Sequence, residues 1–166
     1  MRALLLLAAL ALSTAAHPAS AAALPDRWKT YINVRYGFAI CYPSGLFEAQ
    51  GEADNGDGQV FKARDGAELR AFGTNNVLDR SLAAEFAAQV RSFIGRNGKI
   101  TYRVTRPGWE VVSGTNGGSR LFYAKTFARN DQFITFQLTY SKAATQRYRP
   151  VVDRLAQCFR LTQGHS

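Results

Sequence analysis

Side chains whose oxygens could be metal ligands cluster in the segment EADNGDGQVFKARDG (52–66), where Asp54, Asn55 and Asp57 could bind calcium. A calcium loop of the EF-hand type needs oxygen ligands at positions 1, 3 and 5 and a glutamate at position 12. Counted from Asp54, positions 3 and 5 are both glycines, and counted from Glu52, position 5 is a glycine. We therefore predict a glycine-rich turn without a metal, followed by a hairpin turn at residues 64–66.

Candidate catalytic residues are scarce, because the chain contains two histidines, His17 near the N-terminus and His165 next to the last residue. The chain between them lacks the base for Ser-His-Asp or Cys-His chemistry and the usual protein ligand of a catalytic zinc ion. It also lacks the Gly-x-Ser-x-Gly motif of many serine hydrolases. We predict no catalytic residue, no cofactor and no metal site.

Carboxylates are the remaining groups that could perform acid-base chemistry. A glycan hydrolase needs two carboxylates in one cleft, and sequence spacing does not reveal which of the 12 acidic residues lie close together. Glu110 is the one acid in an apolar strand, between Trp109 and Val111, where burial would raise its pKa. Because adjacent strand residues point to opposite faces, alternation favours a Glu110 that faces solvent. A carboxylate-dependent glycan hydrolase of the cell envelope stays open as an alternative function.

The N-terminal segment has the pattern of a secretory signal peptide. Arg2 precedes an apolar run from Leu4 to Leu12, and small residues follow up to Ala23. The apolar run is too short to span a bilayer, and no cysteine stands at the cleavage site as a lipoprotein requires. We predict a signal peptide over residues 1–23, one domain over residues 24–163, and a location in the periplasm or outside the cell. No other segment is apolar and long enough to span a membrane.

The charge balance favours anionic partners. Without Arg2, the chain keeps 20 basic residues of the original 21 against 12 acidic ones, a formal net charge of +8. Such a surface could attract an anionic envelope component or an acidic protein. The basic residues are scattered and no nucleic-acid recognition motif is present, so we predict no nucleic-acid partner. The identity of the partner is left open.

Two cysteines, Cys41 and Cys158, follow the predicted signal peptide. An even pair in an oxidising compartment usually forms one disulfide. Cys41 ends the strand-like run YGFAICYP, and Cys158 falls on the apolar face of a predicted C-terminal helix. A bond between them would tie the two ends of the domain together, with two buried free thiols as the alternative.

Two amphipathic helices and eight strands are predicted from periodicity and turn residues. The first helix covers SLAAEFAAQVRSFIG (81–95), with Asp79 or Ser81 as its N-cap and a glycine-rich stop after it. The second begins at about Arg149, with Pro150 in its first turn. The predicted strands cover 28–32, 36–42, 59–63, 67–72, 99–106, 109–114, 120–128 and 132–140. Short turns join the last four strands, which is typical of an antiparallel meander.

The segment from Tyr31 to Pro43, with the pattern Tyr-x-Asn-x-Arg-Tyr-Gly-Phe-x-x-x-Tyr-Pro, resembles the opening of proteins with the PsbP/Mog1-like fold. It is also similar to small uncharacterised exported bacterial proteins with the same phrase. The resemblance implies an antiparallel sheet flanked by two main helices, an α/β/α sandwich of the α+β class, and the element order agrees. Better-known members of this fold group act as binding or assembly proteins for photosystem II or a small GTPase. The shared phrase is structural and assigns no functional residue.

Three functions fit these observations. The favoured one is a non-catalytic exported binding or assembly module that uses a sheet face or a strand edge. Its aromatic and basic contact surface is predicted to include Arg103, Arg120, Tyr123 and Lys125. The alternatives are the glycan hydrolase described above and an exported hydrolase inhibitor that inserts the hairpin tip at residues 115–119.

Overall fold

The computed structural model describes residues 27–162, so the predicted signal peptide lies outside the described part. Within this part the chain forms ten strands and two α-helices. Their order is β1 (Trp28–Asn33), β2 (Phe38–Pro43), β3 (Phe47–Glu52), β4 (Gly58–Ala63), β5 (Glu68–Asn75), α1 (Leu82–Ile94), β6 (Lys99–Arg106), β7 (Trp109–Asn116), β8 (Arg120–Arg129), β9 (Gln132–Ser141), α2 (Thr145–Cys158) and β10 (Arg160–Leu161).

The strands form two antiparallel sheets. The large sheet has seven strands in the order β3-β4-β5-β9-β8-β7-β6, and the small sheet has the order β1-β2-β10. Strands β6 to β9 are neighbours in chain order, which confirms the predicted meander. The predicted strands at 28–32 and 36–42 pair with each other as β1 and β2, an N-terminal hairpin. The chain is thus an α+β protein built on a large antiparallel sheet.

One face of the large sheet carries the main hydrophobic core. Helix α2 and the small sheet cover this face together. The layer on this side therefore contains a three-stranded sheet in addition to the one helix that the sandwich prediction gives it. The buried side chains come from the large sheet, from α2 and from β2, and they include Phe61, Leu69, Ile134, Phe136, Leu138, Tyr148, Val151, Leu155, Phe38 and Ile40. Burial of so many large apolar groups is the dominant favourable contribution to folding.

Helix α1 covers part of the opposite face. Phe122 pairs with Thr139 across β8 and β9, so its side chain lies on the face away from Leu138 and the main core. There it packs with α1 in a second cluster of buried residues, Val90, Phe93, Val112, Phe122 and Ala124. The apolar side of this amphipathic helix therefore lies against the large sheet.

The helix boundaries follow the capping rules at α1 but not at α2. Ser81 caps α1 by accepting a hydrogen bond from the Ala84 N–H. Helix α2 begins at Thr145 and not near Arg149, so Pro150 lies inside the helix and that prediction is wrong. A short 3-10 helix at residues 142–144 leads directly into α2 and extends the helical segment toward the N-terminus.

The predicted strands omit two that the structure contains. Strand β3 is an edge strand in which Phe47 is buried and the other five residues are exposed, so the apolar alternation of a half-buried strand is absent. Strand β10 has only two residues and forms by pairing with β2, a long-range contact without a local sequence signal. Both strands are fixed by tertiary pairing and not by their own residue pattern.

The structure confirms the disulfide between Cys41 and Cys158, with a Cα–Cα distance of 5.8 Å. It joins the buried strand β2 to the last residue of α2, and the two cysteines are 117 residues apart in the chain. The bond therefore fastens α2 and the small sheet to each other within the layer that covers the main core.

Removing this bond should destabilise the protein strongly. With Cys41→Ala and Cys158→Ala together, we expect the free energy of unfolding to fall by about 4 kcal/mol, because the unfolded chain loses a closed loop of more than about 100 residues. Urea denaturation followed by circular dichroism measures this change. The unmodified protein in dithiothreitol is the control and should match the variant; a loss below about 1 kcal/mol would contradict the expectation.

Candidate functional site

The glycine-rich segment that resembles a metal loop is held by the N-terminal hairpin. Asn33 is fully buried, and its Nδ2 donates hydrogen bonds to Glu52 Oε1 (2.7 Å) and to the Gly56 carbonyl (2.9 Å). The Tyr31 hydroxyl donates to the same Glu52 oxygen (2.5 Å). Burial and the nearby Glu52 carboxylate raise the pKa of Tyr31 far above its usual value, so this hydroxyl stays a donor.

The carboxylate of Asp57 already has protein partners. Arg35 forms an ion pair with it (Nη1–Oδ1 3.0 Å), and the Tyr36 hydroxyl and the Asn55 amide donate to it as well. The same arginine donates to the Asn55 carbonyl. A guanidinium bound to Asp57 and to the Asn55 carbonyl opposes cation binding there by charge repulsion. Within residues 27–162, no group of three or more His, Cys, Asp or Glu side chains is arranged to hold a metal.

Glu110 is buried, with 3% exposure, so the prediction that it faces solvent is wrong. The alternation along β7 is correct, but the face that carries Glu110 is also the face beneath α1, since Glu110 lies two residues from Val112. Its Oε2 accepts hydrogen bonds from Arg103 Nε (2.8 Å) and the Thr105 hydroxyl (2.7 Å). Arg103 on the neighbouring strand β6 thus neutralises the carboxylate. Glu110 has a structural role here and is a poor candidate for a general acid or base.

A buried polar row continues from Glu110 across the sheet, and sequence reasoning missed it. Glu110 pairs with Thr126 on β8, and Thr126 pairs with Thr135 on β9. Both threonine hydroxyls lie within hydrogen-bond distance of Gln89 Oε1 on α1, at 3.0 and 3.2 Å. The row therefore anchors α1 to the sheet through hydrogen bonds that are satisfied inside the protein.

The four residues of the predicted contact surface are divided between the two faces of the large sheet. Strand alternation places Tyr123 and Lys125 on the face of α2, and Arg103 and Arg120 on the face of α1. Arg103 is bound to Glu110 on the edge strand. Arg120 donates to the carbonyl of Gly66 (2.9 Å), and Lys125 Nζ donates to that of Ala156 on α2 (3.0 Å).

Tyr123 and Lys125 are half-buried beside α2, and burial shifts the pKa of each. Burial, with Tyr102 and Asp153 nearby, raises the pKa of Tyr123 to about 12. Burial lowers the pKa of Lys125, whose Nζ lies 4.9 Å from the centre of the Phe127 ring. Tyr123 also lines a groove of about 230 Å³ between α2 and strands β7 and β8, with Tyr140 and Arg149. No pair of carboxylates lines this groove.

A larger cleft lies where β1, the end of β2, strand β3 with the turn before it, the β4–β5 hairpin and the start of α2 meet. Its volume is about 780 Å³, and Tyr42 and Phe47 contribute buried apolar side chains to its wall. Four cations and two carboxylates line it: Lys29, Lys62, Arg64, Arg147, Glu48 and Asp65. We call this concavity the basic cleft.

Asp65 is fixed at one end of the basic cleft. It accepts hydrogen bonds from the Tyr148 hydroxyl (2.8 Å) and the Ala67 N–H (3.2 Å), and it forms an ion pair with Arg147 (3.0 Å). Burial acts to raise the pKa of Asp65, but these hydrogen bonds and the arginine charge outweigh burial and hold the pKa below its usual value. Asp65 is therefore ionised and unsuited to act as a general acid.

The outer edge strand of the large sheet is β6, and it is open to solvent along its length. Seven of its eight residues are exposed and Val104 is half-buried. The strand includes the exposed apolar side chains of Ile100 and Tyr102, and a bulge interrupts its pairing with β7 between these two residues. Its three charged residues, Lys99, Arg103 and Arg106, are all basic. An edge strand of this kind presents unpaired backbone donors and acceptors.

Comparison with known proteins supports the fold and no finer assignment. No protein-family model and no curated protein matches the chain. The chain is similar to the solution structure of cyanobacterial PsbP (CyanoP) from Synechocystis sp. PCC 6803, with a TM-score of 0.56, 16% identity, and coverage of 90% of this chain and 98% of that chain. At this identity the likeness shows the fold alone. The protein therefore has a PsbP-like fold, which confirms that part of the resemblance.

Two further structures are similar at lower scores. One is from Bacteroides thetaiotaomicron, with a TM-score of 0.45, 13% identity, and coverage of 81% of this chain and 48% of that one. The other is LpqN, described as involved in cell envelope biogenesis of Mycobacterium tuberculosis, with a TM-score of 0.44, 13% identity, and coverage of 84% and 86%.

The structure is compatible with export. The disulfide Cys41–Cys158 is typical of an oxidising compartment. None of the helices described in residues 27–162 combines the length and the apolar character needed to cross a bilayer.

Arg103 should contribute to stability because it neutralises the buried Glu110. We expect Arg103→Ala to lower the free energy of unfolding by about 1 to 3 kcal/mol, since it removes a charged partner of a buried acceptor. Arg106→Ala on the same exposed strand is the control and should change it by less than about 0.5 kcal/mol. Urea denaturation of both variants measures the difference, and equal effects would show that the Arg103–Glu110 pair adds no stability.

Asp65 should make stability depend on pH. Because its folded-state pKa lies below the unfolded value of about 4, its contribution is present above that pH and is lost as the pH falls through the folded-state pKa. We expect the unfolding free energies of the unmodified protein and Asp65→Asn to differ at pH 6 to about 7 and to converge toward about pH 2.

The control for this pH series is Asp54→Asn, because Asp54 is exposed and has no partner among the described residues. Its curve should stay parallel to that of the unmodified protein. A constant difference for Asp65→Asn across the whole pH range would contradict the assignment.

Proposed function

We propose that this protein is a non-catalytic binding or assembly module of the periplasm or the extracellular space. On this proposal residues 1–23 are removed on export, and the domain is a variant of the PsbP/Mog1-like α/β/α sandwich in which a small sheet shares one layer with α2. The observation that carries the proposal is the exposed basic edge strand β6. We propose that a partner protein adds an extended acidic segment to this edge.

The residue pattern of β6 supports pairing with another strand. Ile100, Thr101, Val104 and Thr105 are β-branched and Tyr102 is aromatic, which are the residue types that favour strands. The strand contains no proline and no acidic residue. Two copies of β6 would bring like charges together, which opposes pairing of the protein with itself. An acidic partner segment has the complementary charge.

The opposite edge of the sheet is less suited to a partner. Strand β3 has six residues, and a register shift between Ala49 and Glu52 disturbs its pairing with β4. Strand β6 has a bulge as well, so the two edges of the large sheet differ in length and in charge. Strand β3 carries two acids, Glu48 and Glu52, which would repel an acidic segment, whereas β6 has eight residues and only basic charges.

The two alternative functions have less support. The hydrolase requires a pair of carboxylates in one cleft, one of them with a raised pKa, whereas Asp65 in the basic cleft has a lowered pKa. The inhibitor requires a free tip at residues 115–119. Instead, the Asn116 amide donates to the Phe93 carbonyl (2.6 Å), and the Ser119 carbonyl accepts from the Lys142 N–H (2.8 Å).

Crosslinking from the edge strand tests the proposal. A photo-crosslinking analogue in place of Tyr102 on β6 should capture a partner from the native envelope, because the partner segment would lie beside this residue. The same analogue in place of the exposed Gln50 on β3 is the matched control and should capture little. Equal capture from both edges, or none from Tyr102, would contradict a role for β6.

A second measurement tests the charge argument. Lys99→Gln with Arg106→Gln should reduce crosslinking from position 102 by about fivefold, a loss of ~1 kcal/mol in binding. Lys62→Gln with Arg64→Gln removes the same two charges from the basic cleft and should have little effect. If both pairs reduce the yield equally, net charge and not the edge strand controls binding.

A further inference from the structure

The basic cleft has a chemistry that differs from that of the β6 edge. Of its four cations, Arg147 is paired with Asp65. Lys29, Lys62 and Arg64 form no hydrogen bond or ion pair with the residues that the structure describes. Three cations around one concavity repel each other unless anions lie between them. The cleft therefore has positive charge that the protein does not neutralise.

The carboxylates near the cleft offset only part of this charge. Asp65 is occupied by Tyr148, Ala67 and Arg147. Glu48 is the other acid in the lining; it is exposed on the edge strand β3, opposite Lys62 in the strand register, and the two side chains form no ion pair. The lining thus carries four cations against two carboxylates.

The size and the wall of the cleft indicate the class of ligand. A volume of about 780 Å³ is typical of sites for small molecules or head groups and is much larger than one simple anion needs. The Ser44 side chain adds a hydroxyl to the lining, and Tyr42 and Phe47 add an apolar wall. A phosphate group offers more terminal oxygens than a carboxylate and can bind several cations at once. We propose that the basic cleft binds a ligand that carries two or more phosphate groups.

This site is separate from the strand-addition edge. Lys62 and Arg64 belong to β4 and its following turn, near one edge of the large sheet, whereas β6 forms the other edge. A bound phosphate ligand and an acidic strand partner would therefore occupy different surfaces. The two proposals can fail independently.

Titration calorimetry with inorganic pyrophosphate at physiological salt tests the site. We expect the unmodified protein to bind pyrophosphate, and Lys62→Gln with Arg64→Gln to weaken binding by at least about tenfold, because two unpaired cations of the cleft are removed. Lys99→Gln with Arg106→Gln is the matched control and should weaken it by less than about twofold, since it removes the same charge from β6. Circular dichroism checks that both variants are folded.

The source of the phosphate groups is tested with vesicles. Phosphatidylcholine vesicles that contain phosphatidic acid should bind the protein, and pyrophosphate should compete, if the cleft accepts lipid head groups. Binding of pyrophosphate without binding of vesicles assigns the cleft to soluble phosphate compounds, and either result supports the proposal. Equal binding of pyrophosphate by all variants, or no binding to the unmodified protein, would overturn it.

Discussion

The buried strand β2 is the constraint on which the rest of the structure depends. All six of its residues are buried, and it pairs with β1 on one side and β10 on the other. Cys41 binds it to α2, and Phe38 packs against Phe159, whose ring in turn lies 5.0 Å from that of Phe136 in the large sheet. This strand holds the layer over the main core in place, and its Tyr42 side chain lines the basic cleft.

The segment Tyr31 to Pro43, which resembles the opening of PsbP/Mog1-like proteins, connects the N-terminal hairpin to the rest of the structure. Asn33, Arg35 and Tyr36 hold the segment 52–58, and Arg129 donates to the Tyr36 carbonyl (2.9 Å) to tie the hairpin to the large sheet. The Tyr36 ring lies so close to Gly73 that an added Cβ would stand 2.1 Å from its Cγ, so that position requires glycine. The aspartate that suggests a metal ligand is a partner for this hairpin.

The periodicity of apolar residues and the turn residues predicted the helices, most of the strands and their turns, because local interactions decide these features. The disulfide was also predictable, because compartment and cysteine count restrict the pairing to one bond. The sequence could not show that Glu110 faces α1 and not water, since alternation gives the side of a strand but not what covers it. For the same reason the sequence does not separate Arg103 from Lys125, although the strand pairing places them on opposite faces of the sheet.

The net positive charge of the chain indicates where an anion could bind only after cations with protein partners are distinguished from cations without them. Arg35, Arg103 and Arg147 neutralise carboxylates of the protein, and the donors of Arg129 are occupied by backbone carbonyls. Lys29, Lys62 and Arg64 have no such partner among the described residues, and all three line the basic cleft. A cation without a protein partner is available to an anion, so a concavity that brings three of them together is a better candidate site than a single exposed arginine such as Arg91.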